Sequence, residues 1–239
     1  MFEENKKQYL EKYGFEAFRP KAVLFDMDGV LFNSMPNHAF SWHASMEKFG
    51  LKMAPEDAYE HEGRTGTETI KIYARKQWGR ELSDEEAKEM YKVKAEIFRS
   101  CPPANKMPGA EEVMTKIKRD GLKIVVVTGS GQKTLLGNLR NMFPGLIKEE
   151  LMVTSFDVVH GKPNPEPYLR GLEKAGIKPW EGIVVENAPL GVRAAVAANI
   201  FTIAVNTGPL PDSMLLDEGC DLLFPSMQVF CDNWEKVKG

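Results

Sequence analysis

Two aspartates two positions apart are the first residues in this sequence that could do chemistry. Asp26 and Asp28 follow a short apolar run, and Gly29 comes directly after them. Residues two apart at the end of a strand point the same way, so both carboxylates can approach one substrate and one hard cation. Paired carboxylates favour Mg²⁺. An Asp-x-Asp-Gly segment is equally typical of a solvated turn, so the pair needs further groups around it.

A turn that could hold an anion follows a later apolar run. It consists of Thr128, Gly129, Ser130 and Gly131, which offer a hydroxyl and several backbone amides at the start of a helix. Such an arrangement suits phosphate. The segment is not a Walker loop, because Gln132 stands where that loop has glycine. A plain helix-capping turn is the alternative.

Two more polar segments follow apolar runs. Lys162 lies among prolines that stiffen its backbone, which indicates a positioned positive charge, although most lysines are solvated. Glu186 and Asn187 end the next run, where Asn187 could also serve only as a helix cap. Each of the four polar segments follows an apolar run. This shared position favours one common site over four unrelated surface features.

The order of apolar runs and helical patterns predicts how these groups are positioned. Five short runs are predicted to be buried strands: 22–25, 124–127, 151–153, 183–185 and 201–205. Segments of helical period lie between the later runs. This alternation predicts an α/β fold with a Rossmann-like, doubly wound parallel sheet, and it places ligands at the carboxyl ends of the strands.

One interval interrupts the alternation. Nearly a hundred residues between the first two predicted strands lack a strand pattern but contain three helical patterns with apolar stripes. We therefore predict a helical cap domain at 36–103, inserted into an α/β core formed by 21–35 and 104–239. Residues 1–20 are predicted to be a helical N-terminal extension, for which the sequence indicates no role.

Composition excludes several classes of protein. The 239 residues carry a net charge of −3, which gives no electrostatic footprint for nucleic acid. No apolar stretch approaches the roughly 18 residues that a membrane span needs, and the N-terminus is charged where a signal peptide is apolar. The three cysteines lack the spacing of a zinc site or a disulfide framework. We expect a cytoplasmic monomer with no nucleic-acid or membrane partner.

The polar motifs, in this order and at predicted strand ends, resemble those of the haloacid dehalogenase superfamily. The motifs are Asp26/Asp28, Thr128, Lys162 and Glu186/Asn187. The helical insertion resembles that of the β-phosphoglucomutase-like branch, and the resemblance covers about residues 21–225. It implies that Asp26 is a nucleophile that forms an aspartyl-phosphate and that Asp28 is the general acid/base. Because dehalogenases lack a carboxylate at the position of Asp28, the resemblance implies a phosphatase or phosphomutase.

The same resemblance implies the remaining roles. Thr128, with Gly129 and Ser130, would bind the transferring phosphoryl group, and Lys162 would neutralise its charge. Mg²⁺ would be held by the nucleophilic aspartate, by the carbonyl of the acid/base aspartate and by a ligand from the fourth motif.

The fourth motif departs from the branch pattern. The branch usually has two acidic residues there, but neutral Asn187 follows Glu186, which leaves the magnesium site one negative charge short. We predict that Glu62, in a loop flanked by glycines, reaches the metal from the cap and couples cap closure to metal binding. A solvated loop glutamate is the alternative.

Other residues are candidates for substrate contact. Arg64 corresponds in type to the cap arginine that holds the distal phosphate in mutases of this branch, and it could equally hold the second phosphate of pyrophosphate. Thr65 lies beside it. His38 resembles a branch histidine near Asp28, with a surface histidine as the alternative. The sequence shows no assured counterpart of the mutase's cap lysine, which favours a hydrolase.

We therefore predict a Mg²⁺-dependent phosphohydrolase that forms an aspartyl-phosphate with a small phosphorylated substrate, either inorganic pyrophosphate or a small phosphate ester. The first alternative is a β-phosphoglucomutase-type sugar-phosphate mutase. A non-catalytic phosphate-binding regulator is the second.

Overall fold

A computed structural model describes residues 2–130 and 133–239 of the chain. Within these residues, six parallel strands form one sheet in the order β3-β2-β1-β4-β5-β6. The strands are β1 (Ala22–Phe25), β2 (Lys123–Val127), β3 (Met152–Val153), β4 (Gly182–Glu186), β5 (Phe201–Val205) and β6 (Leu222–Phe224). The predicted α/β fold is confirmed. The short strand β6 was missed, and Leu151, predicted in β3, belongs to a 3-10 turn.

Helices cover both faces of this sheet. The described helices of the chain are α1 (Phe2–Tyr13), α2 (Met35–Lys48), α3 (Asp57–Glu60), α4 (Gly66–Trp78), α5 (Asp84–Ser100), α6 (Ala110–Arg119), α7 (Lys133–Met142), α8 (Glu166–Ala175), α9 (Pro189–Ala197), α10 (Asp212–Leu216) and α11 (Met227–Lys238). Helices α6 and α11 contribute to the apolar cluster on one face, and α8 and α9 contribute to the cluster on the other. None of the helices among the described residues is both long and apolar enough to span a bilayer.

The position of β1 explains why the polar motifs meet. This strand pairs with β2 on one side and β4 on the other, with Phe25 level with Val126 and Val185. Every residue of β1 and β4 is buried, which accounts for their uninterrupted apolar sequences. Because the register is level, the residues that end or follow these three strands lie at one edge of the sheet.

Helices α2 to α5, which we call the inserted helices, lie between β1 and β2 in sequence. They have an apolar cluster of their own, which includes Trp42, Met46, Ile70 and Tyr73. The predicted capping box begins α5, because Ser83 Oγ accepts a hydrogen bond from the Glu86 amide. The inserted helices therefore pack as a unit beside the sheet edge that carries the motifs.

The N-terminal helix α1 is part of the packing of the core. Tyr9 is fully buried, its hydroxyl donates to the carbonyl of Asn199 over 2.9 Å, and its ring meets Phe201 of β5 edge-on. Phe18 packs on the same ring of Phe201. The extension for which the sequence indicated no role thus covers the core next to β5.

Candidate active site

A buried lysine joins two of the motifs. Lys162 Nζ donates to Asp26 Oδ1 and to Glu186 Oε1, each over 2.5 Å, and lies 3.3 Å from the carbonyl of Val127. Its side chain is 2% exposed. Asp26 follows β1 directly, and its amide donates to the carbonyl of Val185, which fixes its backbone to β4. The structure therefore brings together the first, third and fourth motifs.

The charges at this cluster depend on one another. Burial alone would lower the pKa of Lys162, but Asp26 and Glu186 raise it well above its ordinary value. Burial raises the pKa of Asp26, and Glu186 and Asp28 raise it further, while Lys162 opposes them. More negative charge is gathered here than a single ammonium neutralises, which favours a bound cation.

Glu186 is held entirely by protein donors. Its Oε1 accepts from Lys162 and, over 2.6 Å, from the Tyr168 hydroxyl, and its Oε2 accepts from the amides of Asn187 and Ala188. These four donors fill the lone-pair sites of a carboxylate. The geometry therefore supports a role for Glu186 in positioning Lys162, and its role as a metal ligand stays a prediction.

Three other oxygen atoms point to a cation site. Among the described residues, nothing donates to the buried atoms Asp26 Oδ2, Glu62 Oε1 and Asn187 Oδ1. Asn187 Nδ2 donates to Glu62 Oε2 over 2.9 Å, so these two residues are in contact. Buried oxygens without donors are unfavourable unless a cation occupies the space near them. The described residues contain no cluster of three or more His, Cys, Asp or Glu side chains arranged for a metal. The candidate set fits Mg²⁺ because an amide oxygen completes it.

The loop that carries Glu62 lies directly on the buried Lys162. Gly63 has a φ of 86°, and a Cβ there would stand 2.9 Å from Cδ of Lys162. Its carbonyl oxygen lies 3.4 Å from where a Cβ of Gly129 would be. Burial raises the pKa of Glu62 well above its ordinary value, and neighbouring carboxylates, first that of Asp26, add to the rise. Glu62 is thus half-buried, and its Oε1 atom is shielded from solvent.

Asp28, the second aspartate of the first motif, belongs to a different hydrogen-bond network. Ser34 Oγ donates to Asp28 Oδ1 over 2.5 Å, and His38 Nε2 lies 3.3 Å from the same oxygen. Burial alone would raise the pKa of Asp28, but His38 and Ser34 hold it below its ordinary value. The predicted proximity of His38 and Asp28 is present in the structure.

Lys94 is a site residue that the sequence analysis missed. Its Nζ lies 2.8 Å from His38 Nδ1 and stands over the rings of Trp42 and Phe98 at 5.2 and 4.7 Å. An ammonium only donates, so Nδ1 accepts and Nε2 carries the proton that faces Asp28. One sequence feature could have indicated Lys94, since it lies on the apolar stripe of α5, four residues before Phe98.

A cavity of about 90 Å³ lies between the core and the inserted helices. The predicted residues that line it are Asp26, Asp28, His38, Glu62, Arg64, Thr128, Gly129 and Ser130, and Lys94 lines it as well. Thr128 Oγ1 accepts from the Ser130 amide over 3.0 Å, while Gly131 lies outside the described residues. Arg64 Nη1 donates to Glu68 over 2.7 Å. Its buried Nε has no acceptor among the described residues.

Thr65 occupies a neighbouring position. It lines a separate cavity of about 70 Å³, together with Gly161 and Lys162. A Cβ at Gly161 would stand 3.3 Å from Cγ2 of Thr65, so the two loops are in contact there. The structure therefore places Thr65 beside the main cavity and not on its wall.

Comparisons with known proteins agree with this geometry. Residues 23–205 match the family model described as haloacid dehalogenase-like hydrolase. Hexitol phosphatase A of Escherichia coli is 31% identical over 88% of this chain and 93% of its own length. A phosphorylated carbohydrates phosphatase of Thermotoga maritima is 30% identical over 77% and 83%. A solved structure named "Putative beta-phosphoglucomutase from Bacteroides vulgatus" is 57% identical, with a TM-score of 0.96 over 99% of this chain and 96% of that one.

Proposed function

The chain belongs to the haloacid dehalogenase-like hydrolase family, and on that premise we propose that it is a Mg²⁺-dependent phosphohydrolase that acts through an aspartyl-phosphate. The family and the relatives establish an enzyme of the phosphatase or phosphomutase class. We propose inorganic pyrophosphate or a small phosphate ester as the substrate. The observation that carries this proposal is the set of three buried oxygens without donors, which lies beside a small cavity.

Asp26 is proposed as the nucleophile. Lys162 holds its Oδ1 and leaves its Oδ2 without a protein donor among the described residues. The ammonium also stands where it can neutralise negative charge on a phosphoryl group attached to this carboxylate. Thr128, which follows β2, would hold the phosphoryl oxygens with the neighbouring backbone amides.

Asp28 is proposed as the acid and base of the two half-reactions. Its carboxylate is ionised at rest, which suits removal of a proton from the water that hydrolyses the aspartyl-phosphate. To protonate a leaving group it must first gain a proton. His38 lies 3.3 Å away and is itself connected to the Lys94 ammonium, so these two residues can supply one.

The metal site is proposed to use oxygen ligands from both parts of the chain. Asp26, the Asp28 carbonyl and Asn187 would contribute from the core, and Glu62 would contribute from the inserted helices. Mg²⁺ bound there supplies positive charge for the phosphoryl oxygens. The Asn187–Glu62 hydrogen bond supports this proposal, because it holds two of the ligands side by side.

Cavity size supports a compact substrate. Pockets for drug-sized ligands have volumes of about 300–1,000 Å³, several times the volume between core and inserted helices. Arg64, whose side chain is 17% exposed, contributes its guanidinium to the wall, which suits the second phosphate of pyrophosphate. A small substrate carrying two anionic groups could therefore be held by the core residues of the wall and by Arg64 together.

A sugar-phosphate mutase remains the second candidate, and two observations favour it. The structure from Bacteroides vulgatus bears a mutase name and is 57% identical to this chain. Lys94 also stands in the cavity wall, which removes the argument that no lysine of the inserted helices reaches the site.

Assays with and without Mg²⁺ on pyrophosphate, on small phosphate esters and on β-glucose 1-phosphate separate these candidates. We expect Mg²⁺-dependent release of phosphate, greatest with pyrophosphate or a small ester. Conversion of β-glucose 1-phosphate to glucose 6-phosphate without phosphate release would establish the mutase instead. Asp26→Asn should abolish turnover, and a variant that binds and turns over like wild type would contradict the aspartyl-phosphate.

The role of Glu62 is tested separately. We expect Glu62→Ala to raise the Mg²⁺ concentration for half-maximal activity by about 10- to 100-fold, since loss of a ligand weakens metal affinity at least as much as loss of an outer-shell partner. Glu60→Ala is the matched control, because Glu60 is exposed and lies two residues away. An unchanged magnesium requirement in Glu62→Ala would remove Glu62 from the metal site.

A further inference from the structure

The inserted helices touch the core at a second point, three residues before Glu62. Tyr59, in α3, lies against Gly208, in the loop after β5. A Cβ at Gly208 would stand 2.8 Å from Tyr59 Cδ1 and 3.0 Å from Cε1, closer than real Cβ atoms normally approach. The backbone of Gly208 is outside the left-handed region, so its conformation alone does not require glycine. The tyrosine ring is what excludes a side chain at this position.

The loop that carries Gly208 is firmly attached to the core. The amide of Asn206 donates to the carbonyl of Phe224 over 2.8 Å. Its side-chain amide donates to the carbonyl of Leu210 over 2.9 Å and to Asp212 Oδ1 over 2.6 Å. These hydrogen bonds fix the loop on both sides of Gly208. The Tyr59 ring therefore packs against a segment that cannot easily move away from it.

The same loop is connected to the turn after β1. Thr207 Oγ1 donates to the carbonyl of Gly29 over 2.7 Å. Gly29 approaches Asn187 so closely that a Cβ there would stand 2.2 Å from Nδ2, the atom that donates to Glu62. The contacts therefore form a closed circuit, which runs through Gly208, Tyr59, Glu62, Asn187, Gly29 and Thr207.

We propose that Tyr59 and Gly208 form a stop that sets how closely the inserted helices approach the core, and that this stop positions Glu62 for the metal. Only two residues separate Tyr59 from Glu62, so a displacement of the ring moves the carboxylate with it. Tyr59 and Gly208 are positioning residues, since the ring meets the loop after β5 and not the reacting atoms. The inference depends on the proposed function, because the role of Glu62 in binding Mg²⁺ belongs to that proposal.

Gly208→Ala is the direct test. The added methyl must displace the Tyr59 ring, and we expect about tenfold weaker Mg²⁺ binding by calorimetry and about tenfold lower kcat/KM, since misplacement by about 1 Å can cost more than this. Faster amide hydrogen exchange in residues 57–66 should accompany these losses. In a Tyr59→Ala background the same glycine substitution should have no further effect, because the ring that it meets is gone.

Two variants control for unrelated effects. Gly137→Ala adds a methyl at a helical glycine where no described atom lies within 4 Å, and it should leave all three measurements unchanged. Tyr59→Phe keeps the ring, so Gly208→Ala in that background should cause the same relative losses as it does in the wild type. The proposal is overturned if Gly208→Ala matches Gly137→Ala, or if it has the same effect with and without the Tyr59 ring.

Failure of the stop and failure of the proposed function give different results. Hydrogen exchange reports the contact between Tyr59 and Gly208 without catalysis or metal. If the wild-type protein neither bound Mg²⁺ nor released phosphate, the proposed function would be wrong. The hydrogen-exchange data would still test whether Tyr59 and Gly208 form the stop. If the wild type did both and the exchange data showed no coupling, only the stop would fall.

Discussion

Two lysines that are each 2% exposed, one in the core and one on the inserted helices, differ in the charges around them. Lys162, on the core side, lies between the carboxylates of Asp26 and Glu186, and these raise its pKa above the ordinary value despite burial. Lys94, on the inserted helices, faces the neutral imidazole of His38 and two aromatic rings. Burial lowers the pKa of Lys94 to about 8, and the more distant Asp28 only partly offsets this.

The difference shows that partners, and not burial, decide whether a lysine keeps its proton. The charge of Lys162 is required by two buried carboxylates, so it is permanent across the physiological range. The charge of Lys94 depends on pH, because none of its described hydrogen-bond partners is a carboxylate. One lysine therefore serves as a fixed positive charge, and the other can give up a proton near neutral pH.

The largest effect should follow from Lys162→Met. The substitution leaves Asp26 and Glu186 buried without their cation, and we expect it to lower the free energy of unfolding by about 3–5 kcal/mol. Loss of the fixed charge should also lower kcat by at least about 10²–10³-fold. Urea unfolding and steady-state kinetics measure both. At pH 7, Lys94→Met, which makes the same substitution at the other lysine, should leave stability within about 1 kcal/mol; equal losses in the two variants would contradict the comparison.

The alkaline pH dependence of stability should distinguish the lysines next. Between pH 8 and 10.5 the unfolded chain keeps the Lys94 proton and the folded chain has lost it, so the free energy of unfolding rises with pH. The rise amounts to about 3 kcal/mol over this range. Lys162 has the opposite sign, because its folded pKa is raised, and its contribution is lost only above pH 10.5.

The measurement is the difference in unfolding free energy between wild type and Lys94→Met as a function of pH. We expect that difference to grow from pH 8 to pH 10.5 in favour of the wild type. A difference that stays constant over this range would show that Lys94 titrates normally in the folded protein.

Turnover should respond to Lys94 more than stability does. Lys94→Met removes the donor that fixes the tautomer of His38, and we expect kcat to fall by about 10- to 100-fold, at or below the lower end of the range for groups that transfer the proton themselves. Lys92→Met is the matched control, since Lys92 is exposed on the same helix and pairs only with Glu89 in the described contacts. Equal kcat values in the two variants would exclude Lys94 from the proton network.

The sequence predicted the core side of this comparison better than the other side. Asp26, Thr128, Lys162 and Asn187 follow or flank strands that are buried on both faces, and such strands appear as continuous apolar runs. Parallel order then places their ends at one edge. Strand β6, at the edge of the sheet, was less visible in the sequence, because it has only three residues and none is β-branched.

Contacts between distant segments were not visible in the sequence. Glu186 was predicted as a metal ligand from its motif, and nothing in the sequence indicated that Lys162, Tyr168 and two amides donate to its carboxylate. Lys94 lies 56 positions from its partner His38, and no local pattern shows that these two side chains meet. Charge partners of this kind depend on helix packing, which spacing along the chain does not specify.

The smallest effect concerns the second partner of Glu186. The Tyr168 hydroxyl donates to Glu186 Oε1 over 2.6 Å, while its ring lies 5.1 Å from Lys162 Nζ. Tyr168→Phe keeps the ring and removes one donor, so we expect a loss of about 1 kcal/mol in the free energy of unfolding and a decrease of only a few-fold in kcat. Lys162 and the two amides still hold the carboxylate in this variant. A loss of stability as large as that in Lys162→Met would contradict this expectation. It would mean that the Tyr168 hydroxyl, more than the Lys162 ammonium, holds the Glu186 carboxylate in position.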